Sequence, residues 1–270
     1  MSSVRFPAIA AAIAAAVCYA SILMGMARQW WTDEDMGHGF VVPAVVVWIL
    51  WRERQRWQPL PPQPSRWGLA LLGLGAAMHV ASALGAGLFA GSLAFLVSLA
   101  GLTVCLGGWA LLRAWAFPLA LCLFMLPKLA VVYNQVTLPL QLLASRMAAV
   151  LLAATGAAVV REGNILDVGG RRILVAEACS GIRYLLPLGF MGVVIAYVAD
   201  PKRWMRVALL LTAVPVAIVA NAIRVAAVGW IPALIEATPH MISGWVIFTL
   251  CLASLFLARR FFSYLHARSA

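Results

Sequence analysis

The chain is divided into long apolar runs by short charged or turn-forming stretches, and that alternation limits it to folds that hide such runs from water. Residues 6–26 carry no charged side chain, over about the 20 residues that a helix needs to cross a bilayer core. Further apolar runs cover 40–51, 67–86, 88–106, 114–132, 184–198, 207–230 and 245–257, giving eight candidate spans. Hydrophobic residues make up 64% of the 270 and charged residues only 11%, where a soluble domain carries about 25% charged. The fold class this predicts is an all-α integral membrane protein, 1–270 forming one multi-pass domain. Arg5 precedes the first run and no cleavage pattern follows it, so 6–26 is expected to be an anchor rather than a removed signal.

The charges are lopsided, 20 Lys and Arg against 9 Asp and Glu, a net of +11. They are scattered between apolar runs instead of gathered in a basic stripe on a soluble fold, which argues against nucleic acid as a partner. Basic residues in cytoplasmic loops orient multi-pass proteins, and that accounts for the excess. Segment 52–66 holds four arginines and four prolines. It cannot be helical throughout, because proline lacks an amide hydrogen and clashes with the preceding turn; it is expected to be a cytoplasmic loop. With the N-terminus inside, eight crossings put this loop, Arg113, the basic residues of 202–206, Arg259, Arg260 and the C-terminus in the cytoplasm. A ninth crossing at 139–155 would send the later clusters outside. That stretch is therefore expected to be an amphipathic or re-entrant helix at the outer surface, with Gln141, Ser145 and Arg146 on its more polar face.

The stretch 157–178 is expected to be an extracytoplasmic β-meander. Three short segments rich in Val, Ile and Leu, 159–161, 164–168 and 171–176, are divided by Glu162-Gly163 and Gly169-Gly170, pairs that turn easily. It delivers the chain to Glu177-Ala178-Cys179-Ser180-Gly181-Ile182-Arg183 at the outer mouth of the next span.

The same topology gathers three distant residues on the outer side: Cys179 before the span at 184, Arg224 toward the outer end of 207–230, and His240 in the loop before 245. A thiol, an imidazole and a guanidinium are the parts of a cysteine nucleophile site. The plain alternative for Cys179 is a small apolar filler, but polar and turn-forming neighbours surround it. An arginine inside a span is costly and pairs or functions there; the plain alternative for Arg224 is an ion pair or snorkelling to the interface. Asn221 lies three residues before Arg224 and shares its helix face. His38, in the polar stretch 28–39, is the one rival for proton transfer, since His79 falls in a span and His266 in the cytoplasmic tail. The five cysteines are odd in number and lack CxxC spacing, so neither disulfides nor a metal is expected, and no cofactor.

The string 177–183, then Asn221-Ala222-Ile223-Arg224-Val225, then His240 ahead of Ser243-Gly244-Trp245, resembles the signature of the exosortase/archaeosortase family. Asp35-Met36-Gly37-His38-Gly39 and Pro43 resemble its N-terminal pattern, and the likeness spans the core from about 31 to 258. Members are multi-pass membrane cysteine transpeptidases that process exported proteins at the outer face of the bacterial inner membrane. The resemblance implies that Cys179, Arg224 and His240 are the active-site trio, with Arg183, Glu177, Asn221 and His38 supporting residues. It implies protein substrates bearing a C-terminal sorting signal: an acidic motif of the Pro-Glu-Pro type, an apolar span and a basic tail. Arg183, ahead of Arg161, Arg171 and Arg172, is the arginine expected to meet the acidic residue; contact with membrane lipid phosphates is the plain alternative. An amine or hydroxyl acceptor is implied for transfer. Two other readings are a rhomboid-like serine protease using Ser180, although Ala178 stands where its first glycine should be, and a lipid or solute transporter in which Cys179 is incidental, although the halves show no self-similarity.

Overall fold

The computed structural model describes the backbone of residues 5–176, 180–199, 202–235 and 237–269, and the side chains within them except those of 5–8, 235, 237–241 and 269. The chain is mostly helical and divides into two compact units, Met1–Leu129 and Ala130–Ala270.

In the first unit, α1 (Arg5–Cys18) and α2 (Ala20–Thr32) meet at a bend of 69° around Tyr19. Tyr19 is buried; its hydroxyl lies 2.8 Å from Ser98 Oγ and donates toward the carbonyls of Gly75 and Ala94. The bend is thus pinned by a phenol that finds polar partners inside an apolar wall. A 3-10 turn, Gly37–Phe40, leads into α3 (Val41–Arg52), and one helical turn, α4 (Arg54–Trp57), sits in the arginine- and proline-rich loop.

Helices α5 (Trp67–Ala81) and α6 (Gly87–Leu121) form an antiparallel hairpin. Gly68 lies against Gly101 and Cys105, and Gly75 against Ala94 and Ser98. A side chain at Gly68 would come within 2.7 Å of the Gly101 carbonyl oxygen, so small residues are what let the two backbones approach. Gly85 (φ 121) and Gly87 (φ 79) reverse the chain in a backbone region that L side chains avoid. A second break comes at Gly108 (φ 79), where the amides of Gln63 and Ser65 donate to the carbonyls of Gly107 and Val104. The proline-rich loop therefore closes that end of the hairpin.

The span expected at 114–132 is not one helix. α6 ends at Leu121, a 3-10 turn Cys122–Met125 follows, and Leu126 is extended (ψ 144), as the steric demand of Pro127 on its predecessor requires. By length and composition, five helical stretches among the described residues can cross a membrane: Trp67–Met125, Ala130–Ala154, Ile182–Ala199, Arg203–Trp230 and Ile242–Arg268. The bent α1 and α2 pair makes a sixth if it counts as one span. The expected eight do not reappear one for one, because Gly37–Arg52 is short and Trp67–Met125 folds back on itself.

In the second unit, α9 (Arg203–Trp230) is the central helix, packed on by α7 (Ala130–Ala154), α8 (Ile182–Ala199) and α10 (Ala237–Ser269). Strands β1 (Val159–Glu162), β2 (Ile165–Val168) and β3 (Arg171–Leu174) make an antiparallel sheet in that order, with positive-φ glycines 163, 169 and 170 in the turns. Leu166 pairs with Ile173 across the sheet, and both are buried with Ala144, Ala148 and Leu152 of α7 and Val225, Ala226 and Val228 of α9. The polar residues of α7 lie elsewhere than expected. Gln141 and Ser145 are buried, not on a wet face, because they bond to the sheet: Asn164 Nδ2 donates to Gln141 Oε1 (3.1 Å) and Ser145 Oγ to the Gly163 carbonyl (3.0 Å). Arg146 is exposed.

Candidate active site

Two apolar clusters sit along α9. Leu209, Ala213 and Ala217 pack with α8 and α10, and Val225, Ala226 and Val228 with α7 and the sheet. Between them Asn221 and Arg224, one turn apart on the same face, are 1% and 2% exposed. Arg224 Nε donates to Ser243 Oγ (3.3 Å) on α10, and the guanidinium carbon stands 5.6 Å from the centre of the Tyr184 ring on α8. Burying a guanidinium carries a desolvation cost of several kcal/mol, so a charge held here answers to its surroundings rather than to helix packing.

The segment just after the expected nucleophile enters this same region. Ser180 is buried, and its Oγ accepts a bond from the Ile182 amide (3.4 Å). Gly181 (φ 86) carries the chain into α8, its carbonyl accepting from the amides of Tyr184 and Leu185. A Cβ at 181 would come within 3.1 Å of Asn221, so the turn is seated on the residue one helical turn from Arg224. Arg183 stands half-buried in the first turn of α8. Glu177 and Cys179 lie outside the described residues; Cys179 directly precedes Ser180 in sequence.

His240 was expected in a loop, but its backbone lies in the first turn of α10, three residues ahead of Ser243; its side chain lies outside the described residues. The helix begins early because Pro239 falls in a first turn, where its missing amide hydrogen leaves no bond unmade. The second unit thus brings together Ser180, Gly181, Asn221, Arg224, Tyr184 and Ser243, and puts the backbone of His240 one turn from that group.

The sheet is fastened as it approaches this region. The Val175 amide donates to the Asn164 carbonyl, and Arg171 Nη2 to the carbonyl of Gly229 (2.8 Å) at the C-terminal end of α9, where a cation complements the helix dipole. Arg161 donates to the Gly163 carbonyl, and Arg172 makes an exposed pair with Glu162 at 3.5 Å. Basic residues collect at the opposite end of the unit, where Arg259 Nη2 donates to the Ala199 carbonyl and Trp204 meets Phe262 and His266.

His38 belongs to the first unit. Its Nε2 donates to the Phe124 carbonyl (3.0 Å), which assigns the neutral ring that tautomer. Burial lowers its pKa from the ordinary 6.5, against the raising effect of main-chain bonds to Phe124 and Asp35 and of the Asp35 charge. A depressed histidine contributes stability that is fully present above 6.5 and lost as pH falls through its folded-state value. Acidification in detergent micelles should therefore lower the melting temperature of the wild type more than that of His38→Gln; equal pH slopes would count against the buried neutral ring.

Beside it lies a cluster that the sequence did not reveal. Lys128 Nζ is 2.7 Å from Asp33 Oδ2 and 3.0 Å from Asp35 Oδ2, and Trp30 Nε1 donates to the Met125 carbonyl (3.0 Å). The signal was available: Lys128 is one of only two lysines and falls inside the apolar run 114–132, where an ionisable residue calls for a partner.

A helical membrane protein with a buried arginine beside a Ser-Gly turn is the class that fold and site define. The family model for transmembrane exosortases matches residues 30–257, and the chain belongs to that family. Membership points to a membrane peptidase or transpeptidase. No curated protein and no solved structure matches the chain.

Proposed function

We propose that this protein is a cysteine transpeptidase that processes exported proteins at the outer face of a bacterial inner membrane. The observation that carries the reading is Arg224: a buried cation, bonded to Ser243 three residues after His240, with Asn221 one turn away against Gly181, two residues after Cys179. The Cys179 thiolate attacks the scissile carbonyl and forms a C–S bond; the C–N bond breaks, and the amine leaves with a proton from His240. An amine, a hydroxyl or water then attacks the thioester, giving its proton to His240 as the C–S bond breaks and the thiolate returns. Arg224 stabilises the thiolate and the developing oxyanion, the task of a fixed cation in a site shielded from water. Glu177 and His38 are supporting candidates, and no cofactor or metal enters this scheme.

The orientation proposed puts both termini and the loop 52–66 in the cytoplasm. It is supported by the gathering of Lys202, Arg203, Arg206 and Arg259 at the end of the second unit away from Arg224, since basic residues collect on the cytoplasmic side. In this orientation α7 remains on the outer side, where Ala144, Ala148 and Leu152 pack with the sheet and with the last turns of α9. The substrate is a protein with a C-terminal acidic motif, transmembrane segment and basic tail, and Arg183 is proposed to meet the acidic residue. Unchanged processing after Arg183→Glu would remove that assignment.

Co-expression of a tagged substrate carrying such a signal tests the whole reading. Cleavage is expected to disappear in Cys179→Ala and His240→Ala and to persist in Ser180→Ala. Cleavage that persists in Cys179→Ala overturns the cysteine mechanism, and loss confined to Ser180→Ala would establish a serine nucleophile instead.

A further inference from the structure

Tyr184 is 3% exposed at the start of α8, and three helices meet on it. The Arg224 guanidinium of α9 lies over its ring. From α10, a Cβ added at Gly244 would stand 3.2 Å from the Tyr184 hydroxyl oxygen and 4.0 Å from Arg224 Nη2. Within α8, the Tyr184 amide donates to the Gly181 carbonyl, so the ring and the Ser180-Gly181 turn belong to one rigid piece of backbone. Ser243 Oγ accepts a bond of 3.3 Å from Arg224 Nε, long for an N–H to oxygen bond. An aromatic face beneath a guanidinium favours a stacked orientation, and the Tyr184 ring lies within reach of that contact, 5.6 Å from the guanidinium carbon.

We infer that Tyr184 is a positioning residue for Arg224, its ring setting the plane of the guanidinium and coupling that charge to the turn that follows Cys179, with Gly244 kept free of a side chain to give the tyrosine hydroxyl room. The inference rests on the reading of Arg224 as the cation that favours the Cys179 thiolate. Tyr184 touches no reacting atom in this role; it acts through Arg224, and its removal lowers the reactivity of a cysteine five residues away in sequence.

The test uses the full chain in detergent micelles with Cys18, Cys105, Cys122 and Cys251 replaced by alanine, so that alkylation by N-ethylmaleimide reports Cys179 alone. Tyr184→Leu is expected to slow alkylation about tenfold, the loss of thiolate that accompanies a one-unit rise in thiol pKa. Tyr184→Phe, which keeps the ring, is expected to stay within about twofold of the parent. In an Arg224→Ala background Tyr184→Leu should have no further effect, because two residues acting through one interaction are not additive. An independent variant covers the case in which Tyr184→Leu fails to fold. Gly244→Ala should slow alkylation by crowding the hydroxyl, and adding Tyr184→Phe should restore it. Parent-like alkylation in Tyr184→Leu, an equal effect of that change with and without Arg224, or a Gly244→Ala defect that Tyr184→Phe does not relieve would each overturn the inference. If Arg224→Ala itself alkylates and processes substrate like the parent, the reading of Arg224 is what fails.

Discussion

Arg224→Met is expected to reduce substrate processing by about 10²- to 10³-fold, the range found when a single donor to a developing oxyanion is removed. The same change should leave the melting temperature within about 4 °C of wild type, because methionine replaces a buried charge with an apolar side chain of similar length and the desolvation cost disappears with the charge. Loss of activity without loss of fold separates this arginine from the structural arginines of the molecule, such as Arg171 on the Gly229 carbonyl and Arg259 on the Ala199 carbonyl. Arg224→Lys should not rescue: an ammonium has no planar face to lie over Tyr184 and no Nε to donate to Ser243. Processing assays paired with thermal unfolding in the same micelles measure both halves. Full activity in Arg224→Met would reduce the buried cation to an accident of packing.

Lys128→Met is expected to have the opposite signature, a loss of stability. It leaves Asp33 and Asp35, 23% and 10% exposed in their side chains, without the ammonium that lies between them. Removing one partner from a buried ion pair costs about 3–5 kcal/mol; the partial exposure of this cluster reduces that to about 2 kcal/mol, or about 5 °C in melting temperature. Burial works against the lysine charge, but the hydrogen bonds to Asp33 and Asp35 and their charges outweigh it and raise the pKa above 10.5. A raised lysine contributes stability that is fully present below 10.5 and lost as pH climbs through its folded-state value. The deficit of Lys128→Met should therefore be constant between about pH 7 and 9. Restoring the melting temperature by adding Asp33→Asn and Asp35→Asn identifies the stranded carboxylates as the cause; a deficit that the asparagines leave untouched assigns it to packing.

The class of molecule was legible because membrane helices announce themselves by length: the runs at 184–198, 207–230 and 245–257 stand inside α8, α9 and α10. Breaks within apolar stretches were less legible. Gly85 and Gly87 mark a reversal, but Gly108 looks the same in sequence, and its role depends on the remote carbonyl of Gln63. Pro127 ends a run that composition alone carries on to 132, whereas Pro139, Pro187 and Pro215 sit inside helices, so proline punctuates only where neighbours do not accommodate it. Gln141 and Ser145 were misplaced on a wet face, because burial against a strand is a tertiary fact that helical periodicity does not encode. At the site, the importance of Arg224 followed from its apolar neighbours in the chain. That Tyr184 lies beneath it, and that Gly181 rests on Asn221, depends on packing among α8, α9 and α10.

The central claim, that a cysteine thioester carries the reaction, is tested most directly by acid-quenching the full-length enzyme during turnover and analysing the peptide that contains residues 179 and 180 by mass spectrometry. The predicted result is the acyl portion of the substrate on Cys179, removed by neutral hydroxylamine and absent from Cys179→Ala. An acyl group that resists hydroxylamine and maps to Ser180, or cleaved product accumulating in Cys179→Ala, would contradict it.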